Sequence, residues 1–238
     1  MVSIWTVAGI VMEGGLGKYG VGIRDKILKK AAVDFRFLLS RGYPRGSALG
    51  FVGNHYQLSS LERNILFRAV FTRRVAAHRR SKLVKIGEIT GQRLVIDGYN
   101  CIITLENALK GIPLVAADDG FVRDMGLVFR RFRQSERTKQ AWGLISKVFS
   151  HYPPSSVYIL LDAPYSGSGR LGATLNRWMA EAKIRGRATT AMRNEKAIGA
   201  MEGIKVSADS VIIDYSDRVF DLAGHIIRRL LKKRPMRF

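Results

Sequence analysis

Three aspartates each follow a short apolar run: Val95-Ile96-Asp97, Leu160-Leu161-Asp162 and Val206-Ser207-Ala208-Asp209. If the runs are neighbouring parallel strands, about 4.8 Å apart, their carboxyl ends share one sheet edge, where ligands of open α/β sheets bind. Three carboxylates there would lie about 4–8 Å apart, near enough to bridge a divalent cation that relieves their repulsion. Oxygen-only donors select Mg²⁺ or Mn²⁺ rather than zinc, and such ions activate water at a phosphodiester. An aspartate after a strand also serves as a helix cap or turn residue, and each of the three, taken alone, reads that way. Together, in a strongly basic chain, they read as a metal site.

Positioning them requires an α/β architecture. Arg93–Asp97 and Val157–Leu161 are β-branched runs of buried-strand type, and Ile204-Lys205-Val206 is a shorter third. Helical periodicity separates them over Thr138–Phe149 and from Leu171 to Ala182, and the chain returns to it from Gly224 to Lys233. Strands alternating with helices predict a parallel sheet. Val219–Leu222 fits strand or helix equally. Upstream, one helix is expected over Arg24–Ser40 and another over Leu61–Val84, the latter opened by the capping-box pair Ser59 and Glu62. Residues 41–60 read as a loop, Gly87–Gly91 as a linker, and Gly14, Gly15, Gly17 and Gly20 as part of a flexible leader in which Met12 is an alternative start. The organisation is thus a leader (1–20), a basic helical domain (21–91) and an α/β domain (92–238).

The 238 residues carry 40 Lys and Arg against 19 Asp and Glu, a net charge of +21. Residues 1–93 hold 17 basic and 5 acidic residues, so the excess begins in the helical region and continues through the chain. Arg outnumbers Lys, 26 to 14, a bias suited to bidentate phosphate contacts. The densest run is Arg73, Arg74, His78, Arg79, Arg80, Lys82 and Lys85, which has no acid within it. Seven basic groups in thirteen residues exceed what a helix terminus needs and read as a phosphate-contacting stretch. Arg123, Arg130, Arg131, Arg133 and Arg137 form a second group, and Arg170 follows Ser166-Gly167-Ser168-Gly169, a sequence able to cradle a phosphate at a helix start. The rival reading for each is a solvated surface. Tyr99, Trp142, Tyr165 and Trp178 are potential base-stacking residues, although both tryptophans lie on apolar stripes.

Other chemistries are poorly supported. The single Cys101 excludes a disulfide framework and fits a reducing, cytoplasmic setting. The four histidines lack triad or metal-pair spacing, and no phosphate-binding loop motif points to a nucleotide cofactor. No segment reads as a membrane span or signal peptide.

The blocks VIDGYNCIITLE, ADDGFVRDMG and LLDAPYSGSGRLG, with VSADSVIID around Asp209, resemble PIN-like nucleases, particularly the NYN branch. With RFLLSRGYPRGSALGFVGNHYQLSSLER, the chain is similar over about residues 24–225 to archaeal two-domain proteins of unknown function that pair a helical N-terminal domain with a PIN-like one. The resemblance implies a Mg²⁺- or Mn²⁺-dependent ribonuclease in which Asp97, Asp162 and Asp209 are catalytic metal ligands. In-line attack of a metal-activated water would leave a 5′-phosphate. It also implies a further acid between the first two motifs, for which Glu106, Asp118, Asp119 and Asp124 are candidates. Asp119 and Asp124 are preferred for their Gly-flanked loop, and Asp214 is a further possibility. The partner would be RNA, ribosomal or transfer RNA included, with no membrane; a homo-oligomer stays open. The alternatives are a non-catalytic RNA-binding or ribosome-associated protein using the same fold as a docking platform, and, ranked last, a DNA-binding regulator.

Overall fold

The computed structural model describes residues 24–126 and 132–238. The expected leader, residues 1–20, lies outside them, as do Arg130 and Arg131. Four helices come first: α1 (Asp25–Ser40), α2 (Arg45–His55), α3 (Ser60–Ala69) and α4 (Arg73–Ser81). A parallel sheet follows, with strands β1 (Arg93–Asp97), β4 (Ser156–Asp162), β5 (Gly186–Ala191), β6 (Ile204–Val206) and β7 (Val219–Phe220). An antiparallel hairpin, β2 (Leu114–Ala116) and β3 (Val122–Asp124), stands apart. The remaining helices are α5 (Gly98–Leu109), α6 (Glu136–His151), α7 (Ser168–Glu181), α8 (Asn194–Ala200), α9 (Ser210–Asp214) and α10 (Leu222–Arg229).

The strand order is β5-β4-β1-β6-β7. The chain winds outward from β1 to β5, then crosses to the other side of β1 for β6 and β7. The central strands are apolar on both faces because both faces are covered. Leu94, Ile96, Ile159 and Leu161 pack with residues of α5, α6, α7 and α10. Their alternates Val95 and Leu160 pack with Ile198 of α8 and Ile212 of α9.

The helical region departs from expectation twice. The expected loop at 41–60 contains α2, whose glycines weaken its helical signal. Packing decides the outcome: Ala48, Val52 and Gly53 are buried, with Gly53 against the Arg63 guanidinium. The helix expected over Leu61–Val84 breaks at Val70–Thr72, where Val70 and Thr72 are extended and Thr72 caps α4. Distant groups satisfy the exposed backbone. Arg45 donates to the carbonyls of Phe67 and Val70, and the Phe71 N–H donates to Asp118 at 3.0 Å. The expected capping box of Ser59 and Glu62 is formed.

The expected linker is a 3₁₀ turn, Ile86–Ile89, with Ile89 fully buried. The two regions share packing. Val115, Ala117 and Met125, in and beside the hairpin, join Leu28, Phe35, Ile65 and Leu66 in one apolar cluster. Val84 and Lys82 exchange backbone hydrogen bonds with Val219 at the sheet margin.

Candidate functional site

The direction of winding reverses at β1, so the crevice at the carboxyl ends of β1 and β6 is the topological switch point of the sheet. Asp97 ends β1, Asp162 ends the adjacent β4, and Asp209 follows β6. All three stand on one sheet edge. Two of them also cap helices: Asp97 accepts the Asn100 N–H at 3.4 Å, and Asp209 accepts those of Val211 and Ile212 at 2.7 and 3.4 Å.

Short polar residues lock this edge. Ser207 Oγ donates to Asp97 at 3.0 Å while accepting the Asp209 N–H at 3.0 Å, so one hydroxyl joins both acids. Asn100 Oδ1 accepts the Ala208 N–H at 2.9 Å and fixes the turn that presents Asp209. Gly98 is required by close approach, because a Cβ there would lie 2.6 Å from Leu161 and 2.8 Å from Ile159. Asn194, at the start of α8, donates to Asp97 at 3.4 Å. Its Oδ1 is buried without a hydrogen-bond partner among the described residues.

No Lys, Arg or His forms an ion pair with Asp97, Asp162, Asp209 or Glu195 among the described residues. Burial raises the Asp97 carboxyl to about 7, with the charges of Asp209 and Asp162 adding to the shift and the Ser207 bond opposing it. Burial likewise raises Asp162 to about 6, with Glu195 the next contributor. Glu195 is therefore a fourth acid of this edge, and Asn194 and Ser207 are polar companions that sequence reasoning missed. The signal was available in Arg193-Asn194-Glu195, which follows β5. That strand reads poorly because Arg187, Thr189 and Thr190 are polar and exposed.

An oxygen-only donor set with an orphaned amide oxygen and a carboxyl destabilised by like charge fits a hard divalent cation. The acids do not form a closed cage: among the described residues, no three His, Cys, Asp or Glu side chains are grouped to hold a metal ion. The three aspartates thus share one sheet edge without grouping around one point.

The other candidate acids are corrected by their partners. Asp119 is fully buried, with its oxygens 2.8 Å from two nitrogens of Arg123 and 3.2 Å from Arg79. Asp124 accepts from Thr104, Asn107 and the Gly126 N–H at 3.0, 2.7 and 2.9 Å. Neither is free to hold a metal. Asp118 pairs with Arg36 through two bonds of 3.0 and 2.9 Å, Glu106 accepts from Thr138 at 2.6 Å, and Asp214 pairs with Arg79 through two bonds of 2.7 Å.

The same contacts correct part of the basic list. Arg79 and Arg123 are buried ion-pair partners, and Arg123 also donates to the Ala208 carbonyl at 2.9 Å. Lys82 donates to the carbonyls of Ile213 and Asp214 at 3.0 and 2.8 Å. Arg73, Arg74, Arg80 and Arg170 are exposed, with Arg80 bonded to the Asp118 carbonyl. Tyr99 and Trp142 are buried; Tyr99 stacks on Tyr165 at 4.7 Å and Trp142 on Trp178 at 6.3 Å, so these rings pack the interior rather than offer a free face. No helix among the described residues is long and apolar enough to cross a membrane.

Comparison with known proteins places both regions. Residues 86–225 match the model of a domain of unknown function (DUF5616), and residues 27–82 match a protein of unknown function (DUF434). The chain is 33% identical to the uncharacterized protein MJ0935 of Methanocaldococcus jannaschii over 208 residues, which cover 87% of this chain and 99% of that protein. No solved structure matches the chain.

Proposed function

The chain belongs to the DUF5616 family, and we propose that it is a PIN-like, Mg²⁺- or Mn²⁺-dependent RNA endonuclease. The observation that carries this reading is the set of four acids at the switch point, Asp97, Asp162, Glu195 and Asp209. None of them forms an ion pair among the described residues of a chain with net charge +21. A chain rich in arginine that leaves these acids without an ion pair, while pairing Asp119 and Asp214 with arginine, has room at this edge for an external cation.

Asp97, Asp162 and Asp209 would hold the metal, with Glu195 and the free oxygen of Asn194 beside them. When bound, the ion supplies Lewis acidity and lowers the pKa of a coordinated water. The chain's residues supply placement. Ser207 fixes the Asp97 carboxylate relative to the Asp209 backbone, and Asn100 holds the turn that carries Asp209. Exposed Arg73, Arg74, Arg80 and Arg170 provide charge for the phosphate backbone.

The test is cleavage of single-stranded and structured RNA with Mg²⁺ or Mn²⁺, using EDTA and Asp97→Asn as controls. The wild type should yield 5′-phosphate ends. Asp97→Asn should lose more than the roughly 10–100-fold typical of removing a residue behind a metal ligand. Binding without metal-dependent cleavage of any RNA would overturn the enzyme reading in favour of a docking protein.

A further inference from the structure

Arg68, near the end of α3, belongs to the helical region but reaches the sheet region. Its Nη1 donates to the Asp124 carbonyl at 2.7 Å. The preceding Arg123 donates from Nε to the Ala208 carbonyl at 2.9 Å, so the Asp124 backbone and the turn carrying Asp209 are tied together. Arg68 is thereby held near enough to Asp209 for their charges to interact.

Its pairing differs from that of its neighbours. Arg79 and Arg123 are matched to Asp119, and Arg79 also to Asp214. Arg45 lacks a carboxylate partner but is enclosed by the rings of Phe35, Phe67 and Phe71 at 4.7–5.3 Å. Arg68 has no ion pair among the described residues, and the residue is largely enclosed but keeps some exposure. Burial lowers its pKa while the charges of Asp124 and Asp209 oppose that shift. A guanidinium bonded to a single carbonyl retains donors for an anion, and its planar fork suits phosphate.

We propose that Arg68 contacts a phosphate of the RNA strand lying on the Asp97–Asp209 edge, so that the helical region contributes a substrate-binding residue to the site. The proposal rests on the phosphodiester reading above. It gives the two regions a shared chemical purpose: one presents acids for the metal, the other a cation for the phosphate those acids would repel.

The experiment compares Arg68→Gln and Arg68→Lys in the full chain. Gln removes the charge and keeps an N–H donor for the Asp124 carbonyl; Lys keeps the charge. Affinity for a labelled mixed-sequence single-stranded RNA is measured against salt with EDTA present. Arg68→Gln should weaken binding and reduce the log–log salt slope by about one, while Arg68→Lys retains the slope. Equal slopes in the wild type and both variants, or no RNA binding by the wild type, would overturn the proposal. A metal-dependent cleavage assay runs in parallel. Absence of wild-type cleavage with the expected change in slope would defeat the endonuclease reading and leave the phosphate contact standing. Should Arg68→Gln fail to fold, phenylglyoxal labelling of the wild type decides. RNA should protect the Arg68 peptide, and unchanged labelling would overturn the contact.

Discussion

Two groups of acids lie a short distance apart in this molecule and have opposite surroundings. In the hairpin region, Asp118, Asp119 and Asp124 have their oxygens occupied by arginine, amide, hydroxyl or backbone donors. At the sheet edge, Asp97 accepts hydrogen bonds from Ser207, Asn100 and Asn194 alone among the described residues, and burial first, then the neighbouring negative charges, oppose its ionisation. The first group is internally compensated and holds the helical region on the sheet region. The second has no ion pair among the described residues, which is the basis for proposing that it takes up a cation. Neither burial nor the number of donors separates them, since Asp97 and Asp124 are 7% and 5% exposed and each accepts three hydrogen bonds from neutral groups; the difference is the neighbouring charge, negative from Asp209 and Asp162 at Asp97, positive from Arg68 at Asp124.

The largest effect should come from disturbing the compensated group. Asp119→Ala leaves the buried Arg123 without its carboxylate and should cost about 3–5 kcal/mol, read from the urea midpoint. A cost below about 1 kcal/mol would erase the distinction between the groups.

Asp97→Asn should act in the opposite direction. Asn is as good a helix cap as Asp, so α5 retains its N-cap. The folded Asp97 carboxyl lies near 7, above the ordinary value of about 3.9. Its contribution to stability is therefore full below about pH 4 and is lost as pH rises through about 7. With EDTA at pH 8, Asp97→Asn should be more stable than the wild type by on the order of 2 kcal/mol, and the advantage should vanish near pH 4. Unfolding curves at both pH values check this, and an advantage that grows as pH falls would contradict it.

The smallest effect on stability belongs to Arg73→Glu with Arg74→Glu. These exposed side chains should change the unfolding free energy by no more than about 0.5 kcal/mol per site. RNA affinity should fall nevertheless, with a shallower salt dependence, because phosphate contacts release counterions. Unchanged affinity would remove α4 from the RNA-facing surface.

The comparison also explains what the sequence could convey. β1 and β4 were legible because buried parallel strands are continuous apolar runs, and Asp97 and Asp162 follow from where those runs end. β5 was not, because an edge strand exposing Arg187, Thr189 and Thr190 lacks that signature, and Glu195 was lost with it. α2 was hidden by Gly46, Gly50 and Gly53, whose helical conformation depends on tertiary packing. The compensation of Asp119 and Asp214 was illegible for a different reason: their common partner Arg79 is 40 and 135 residues away. Residue type and local spacing reveal an acid; only folding reveals whether its charge is answered.

The most direct measurement is Mn²⁺ binding, followed by electron paramagnetic resonance of the free ion, in the wild type, Asp97→Asn and Asp124→Asn. The account expects stoichiometric binding by the wild type and Asp124→Asn, with loss in Asp97→Asn. Undiminished binding by Asp97→Asn, or loss confined to Asp124→Asn, would contradict assignment of the cation site to the sheet edge.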